Sequence, residues 1–475
     1  MSATPDYQHQ EPTIQPSPPL PPRVLRLGRP ERMLLLALVV FVGALLVRLV
    51  KDRVAEPEMA PSPQPIEQAS ETHIIQLQEK LSRFPDNSYL YAQLGLALLQ
   101  RVRETGDATL YRQAEEAFEE ALARDPEQLD ALLGEGILAN ARHEFEEALV
   151  WTERAWAINP YRAETLGIMV DAQVELGRYE QAVETLQRMV ALRPDLASYS
   201  RVSYLRELHG DMPAAIEAMK QAVDVGMPGT ESWLWAQAQL GHLYFNSGDL
   251  AQAEAIYQEA LRLDEAYPYA LAGMARVRAA RGQYNEAIAT YRAIVERLPL
   301  PEFIIALGEL YEATGQQREA TLQYDLVRAM QQLNADAGMN VDLELALFNA
   351  DHGSNPEEAV AQARAAYERR PNIYAADALA WALYQVGDYS EASRYSNEAL
   401  RLGTQDASLH YHAGKIAYAL GDRAAARTHL AQALEINPYF SPLHALDARD
   451  LLQINLSSES QEGTLTSQQL VSQGH

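Results

Sequence analysis

Residues Leu240–Ala260, LGHLYFNSGDLAQAEAIYQEA, decide the fold. Leu240, Gly241 and Tyr244 fall on one helical stripe, Ala253, Tyr257 and Ala260 on a second, and Gly248 separates the two with a turn residue. Gly241, Ala253 and Ala260 are small where two helices must approach closely; Leu240, Tyr244 and Tyr257 fill the space around them. A lone helical hairpin cannot bury both stripes, so the pattern demands neighbours of its own kind.

The chain supplies them. Positions equivalent to Ala253 recur at Ala114, Ala148, Ala182, Ala215, Ala287, Ala320, Ala359, Ala392 and Ala426, spaced by 33 or 34 residues except for one gap of 38 and one of 39. Seven residues further on, Ala121, Ala155, Ala222, Ala260, Ala366, Ala399 and Ala433 repeat the second small site. Twelve further on, Pro126, Pro160, Pro194, Pro299, Pro371 and Pro438 stop the second helix. A period near 34 with this order of small, large and proline positions resembles the tetratricopeptide repeat across residues 70–453. The resemblance implies an all-α, right-handed superhelical solenoid of about ten helix-turn-helix hairpins.

The ends of the chain read differently. Residues 1–30 are rich in Pro, Gln and Ser and cannot pack a core. Met33–Val47 is an unbroken apolar run, and 31–53 reads as a single-pass transmembrane anchor with Arg48 snorkelling to the interface. A cleaved signal peptide is the alternative, but the leader is long and no small-x-small site follows. Arg23, Arg26, Arg29 and Arg32 before the run, against Arg48, Lys51 and Arg53 after it, favour a cytoplasmic N-terminus and an extracytoplasmic (periplasmic or extracellular) repeat domain. Residues 54–69 form a Pro/Glu linker. From about Glu71 a capping helix precedes the first hairpin, which has an insert at Arg101–Thr109. The long gaps fall on the loop Val225–Thr230 and on Met330–Asn340, where the preceding helix runs on. Leu443–Leu452 reads as a C-terminal cap, and 454–475 as a polar disordered tail.

Composition excludes several functions. The absence of cysteine rules out disulfides, zinc–thiolate sites and thiol catalysis. The first 53 residues carry a net charge of +3 and the other 422 carry −29, which repels phosphate backbones and argues against nucleic acid as a partner. No nucleophile-elbow, phosphate-loop or zinc-protease motif occurs, and the carboxylates read as exposed helix surface, so no catalytic residue, cofactor or metal is assigned. His410 and His412 lie two apart on one helix and do not face one another. A metal-handling accessory role for a membrane transporter, through His352 and His412, is the alternative from another class, and self-association is a third.

In tetratricopeptide domains the first helix of each hairpin lines a concave face where peptides bind, and the resemblance implies the same here. The matching positions are Tyr204, Trp235, His242, Phe245, Arg276, Phe348, His352, Trp381, Tyr384, Tyr411, Lys415 and Tyr418, a set whose aromatic side chains suit peptide contact. Aromatic density is highest from Phe348 to Tyr418, which is therefore expected to dominate. The Lys/Asn clamp by which some relatives hold a C-terminal carboxylate is replaced by Ala238, Ala272, Ile305 and Glu344 with His242, Arg276, Glu309 and Phe348. The expected function is a non-catalytic, membrane-tethered scaffold for a protein or peptide, such as an assembly factor.

Overall fold

The need for neighbours is visible at Tyr257, whose side chain is fully buried. A Cβ placed on Gly241 or on Gly273 would lie 2.3 Å from its ring, so two successive first helices close on the one aromatic. Phe118 is clasped in the same way by Gly95 and Gly134. Each ring fills a space that only the absence of a side chain opens, and burying it removes a large apolar area from water.

A computed structural model describes residues 66–336, 342–353 and 355–453; the N-terminal tail, the apolar run of 31–53 and the C-terminal tail lie outside the described residues. Among the described residues every regular element is a helix, and none is long and apolar enough to cross a membrane. A helix Ile66–Arg83 comes first. Ten hairpins follow, numbered here in chain order: Ser88–Arg124, Leu129–Ile158, Ala163–Leu192, Leu196–Val225, Glu231–Leu263, Pro268–Arg297, Pro301–Asp336, Asp342–Arg369, Ile373–Ala399 and Ala407–Ile436. A last helix spans 444–453. Ile74 packs with Leu98 and Leu99 of hairpin 1, and Ala448, Leu451 and Leu452 pack on Leu430 and Ala433 of hairpin 10, so both end helices cover an exposed apolar flank.

The irregular spacings have local causes. In hairpin 1 the first helix, Ser88–Thr105, runs 18 residues where most of its counterparts run 13, and this takes up most of the insert. Before hairpin 5 the loop ends at Thr230, whose hydroxyl caps Trp233 N–H at 3.3 Å. The second helix of hairpin 7, Gln317–Asp336, is 20 residues long and absorbs the other gap. One boundary moves: the first helix begins at Ile66, inside the stretch read as linker. Glu67, Gln68 and Ala69 are good helix formers, and no proline follows Pro65 to interrupt them.

The repeats wind tightly enough for successive turns of the solenoid to touch. Asn372, at the start of hairpin 9, donates its side-chain N–H to the Glu175 carbonyl at 2.9 Å and to the Glu175 carboxylate at 3.1 Å, across to hairpin 3. The Tyr179 hydroxyl accepts Ile373 N–H at 2.9 Å, and the Arg401 guanidinium lies 5.3 Å from the Tyr179 ring centroid. Ile373, Tyr374 and Leu402 complete an apolar cluster with Tyr179, Leu205 and Leu208, so the seam is core as well as hydrogen bonds. The turn of hairpin 4 meets the connection between hairpins 9 and 10 through Gly210 and Gly403, and that of hairpin 5 meets Ile436–Pro438 through Gly248. Hairpin 1 meets Leu298 and Leu300 through Gly106. About six hairpins therefore complete one turn, a rate set by summing small rotations between neighbours.

Candidate partner-binding site

The first helices of the hairpins supply the candidate side chains, but the structure treats them unequally. Tyr204 is 37 % exposed. It stands beside Arg201, which pairs with Asp171 through two bonds of 2.8 and 2.6 Å. Trp235 is half-buried against Ala215, Met219 and Leu240. His242 is also half-buried, with Nδ1 2.7 Å from the Tyr257 hydroxyl; burial, assisted by the Arg276 charge, pushes its imidazole down to about 3. It is neutral at physiological pH.

Phe348, Trp381 and Tyr411, in the aromatic-rich region expected to dominate, are each only 3 % exposed. Trp381 stacks between Tyr384 at 4.8 Å and His412 at 4.2 Å, and its indole N–H donates to Asp351 at 2.6 Å. His412 faces Asp377 at 2.9 Å, both buried. Burial would lower the imidazole, yet the Asp377 carboxylate outweighs it and holds His412 above its ordinary value. Tyr411 and Lys415 both donate to Asp447 at 2.8 Å, and His444 stacks on Tyr411 at 4.8 Å. His352 lies flat on Tyr324 at 4.2 Å and 3.6 Å from Glu309, whose carboxylate raises it in spite of burial. The Arg423 guanidinium covers Tyr418 at 3.8 Å. This region is a carboxylate-pinned aromatic stack that ties hairpins 8 to 10 to the last helix.

One reading of the sequence needs correction. The carboxylates are not all exposed surface: Glu135 and Asp377 are buried. The cause is their place on first helices, whose faces are covered on both sides by neighbours. Of the histidines named for the metal-handling alternative, His352 lies 3.6 Å from Glu309 and 3.9 Å from Glu312, and His412 lies 2.9 Å from Asp377; among the described residues no group of three potential ligands converges.

Phe245 and Arg276 lead to a different feature. Phe245 is buried, with the Arg276 guanidinium 4.1 Å from its ring centroid and near the Asn246 side-chain oxygen at 3.4 Å. Arg276 faces a cavity of about 310 Å³ between hairpins 5 to 7 and residues 438–449 of the following turn. It also lines a neighbouring polar cavity of about 180 Å³ that includes Glu207 and Asp406. Burial raises Glu207 to about 7, against a hydrogen bond from Asn246 and with help from Asp406. Phe440, Arg449 and Tyr374 complete these walls from about 130 to 200 residues away, and nothing in a 34-residue period announces them.

One family model described as tetratricopeptide repeat matches residues 139–207 and 244–304, and a second with the same description matches 99–163 and 378–439. No curated protein sequence matches the chain. Among solved structures, the human IFIT1 dimer with PPP-AAAA is 16 % identical with a TM-score of 0.44, covering 70 % of this chain and 78 % of its own. The Cut9–Hcn1 hetero-tetramer of the APC/C is 17 % identical with a TM-score of 0.38, covering 82 % and 83 %. MamA is 18 % identical with a TM-score of 0.28, covering 36 % and 92 %.

Proposed function

We propose that this chain, an all-helical solenoid of tetratricopeptide repeats, is a non-catalytic scaffold that holds a protein or peptide partner on its inner wall while tethered to a membrane. The fold itself suggests protein partners. The observation that supports the inner wall is the contrast along the first helices. Tyr204, Trp235 and Arg276, on consecutive hairpins, keep accessible surface, whereas Phe348, Trp381 and Tyr411 are consumed by packing. Accessible aromatic and arginine side chains on a rigid frame are the usual anchors of an interface. The binding surface is accordingly assigned to hairpins 4 to 6.

The tether rests on the apolar run Met33–Val47, and the excess of arginines before it supports an extracytoplasmic position for the repeats. The test is crosslinking on carbonate-washed membranes, comparing the full chain with Tyr204→Ala/Trp235→Ala. The wild type is expected to stay in the membrane pellet and capture a partner that the variant loses by about tenfold or more. Release by carbonate contradicts the tether, and equal capture by both chains contradicts the inner wall.

A further inference from the structure

The larger cavity is charged in the opposite sense to the domain that holds it. Beyond residue 53 the chain carries −29, yet the cavity receives two guanidiniums, Arg276 and Arg449, and a single carboxylate, Glu309. Glu309 is already engaged, 3.6 Å from the His352 imidazole. Among the described residues neither guanidinium forms an ion pair, whereas arginines such as Arg142, Arg201 and Arg364 do. Arg276 is fixed by the Phe245 ring and Asn246, and Arg449 donates to the Pro438 carbonyl. Both forks are therefore preorganised. The surrounding wall is apolar, and it reaches the surface at Leu446, which is 56 % exposed, and at Tyr439.

Two fixed guanidiniums in an apolar recess recognise a carboxylate attached to apolar bulk. We infer that the cavity between Arg276 and Arg449 takes an acidic side chain of a protein partner, with a large apolar side chain of the same segment seated against Phe440 and Leu446. This rests on the reading of the inner wall as a partner surface and names the chemistry of one contact. Complementarity in charge selects the occupant: a basic segment would bring like charge to both arginines. The negative exterior leaves an acidic segment no long-range attraction, so recognition is confined to this recess.

The test uses the full-length chain in detergent micelles on an array of random decapeptides, N-acetylated and C-amidated so that no terminal carboxylate contributes. Bound peptides are expected to be enriched in Asp or Glu within two positions of Phe, Trp or Leu. Arg276→Gln/Arg449→Gln should weaken them by about tenfold or more. Glu309→Gln, which removes the one carboxylate in the lining of this cavity, should strengthen them severalfold, a gain that a misfolded chain cannot give. Bound peptides without acidic enrichment, unaffected by the arginine variant and lost in Tyr204→Ala/Trp235→Ala, would overturn this inference and leave the inner-wall reading standing. Failure to bind any peptide would overturn both.

Discussion

Gly210→Ala is expected to separate successive turns of the solenoid, and Gly315→Ala is expected to leave them joined. The two glycines occupy equivalent turns with the same φ of +75°. An L-residue there costs about 1–2 kcal/mol in either place. What differs is the surroundings. A Cβ on Gly315 meets nothing within 4 Å, whereas on Gly210 it would lie 2.1 Å from the Gly403 carbonyl oxygen, which is backbone and cannot rotate away. Gly315→Ala should therefore lower stability by that strain alone. Gly210→Ala should cost at least about twice as much and expand the chain, because the cheapest relief is to move hairpin 4 away from the connection between hairpins 9 and 10. Small-angle scattering and hydrogen exchange at Tyr374, Leu402 and Tyr179 report the separation. Equal effects of the two substitutions would show that Gly210 faces no neighbouring turn.

Glu135→Gln should stabilise the N-terminal hairpins, and by more as the pH rises. Glu135 is 7 % exposed on the first helix of hairpin 2, and among the described residues it has no hydrogen-bond or ion-pair partner. Burial, reinforced by Glu115, Glu119 and Glu147, pushes its carboxyl up to about 8. The one nearby cation, Arg142, is already held by Glu115 through two bonds of 2.8 Å. The folded chain keeps a proton that the unfolded chain releases at its ordinary value of 4.5, so stability is full below 4.5, falls as the pH rises, and levels off above about 8. Glutamine has no such proton to lose. At pH 8 the gain should reach about 2–3 kcal/mol, after allowance for an unsatisfied amide. It should shrink as the pH falls and turn into a small loss near pH 4.5, where only the cost of the amide remains. Hydrogen exchange over Ser88–Leu192 as a function of pH measures it, since a repeat array opens locally before it unfolds as a whole. A gain that does not change with pH would contradict a neutral, buried Glu135.

The hairpins were legible because each rests on local rules. Gly177, Gly248 and Gly315 mark turns that demand positive φ, and the small residues Gly241 and Ala260 mark where Tyr257 must be enclosed. The interior of the site was less legible, for two physical reasons. Helical spacing places the stripe facing a neighbouring helix next to the stripe facing the inner wall, and an aromatic residue suits both. Trp381 and Tyr384 are three residues apart on one helix and share a stack, yet Trp381 is buried and Tyr384 is only half-buried. The seam is a sum over six hairpins, so its partners, Glu175 with Asn372 and Tyr179 with Ile373, share no motif. The turn glycines give no warning, since Gly177 is crowded by Pro371 and Gly282, with φ of +77° against +67°, by nothing within 4 Å.

Contact between successive turns is what closes the two cavities and sets the frame of the inner wall, and one crosslink tests it directly. The chain has no cysteine of its own, so His209→Cys and Gln405→Cys place the only two thiols beside the Gly210 seam. A Cβ on Gly210 would lie 3.7 Å from Gln405 Cγ, and neither replaced side chain bonds across the turns. Treatment with a short bismaleimide should give one intramolecular bridge per chain, seen as a single added linker by mass and as a linked pair of peptides after digestion. Two separately capped thiols, each fully reactive and never joined, would mean that the turns stand apart and the solenoid is open.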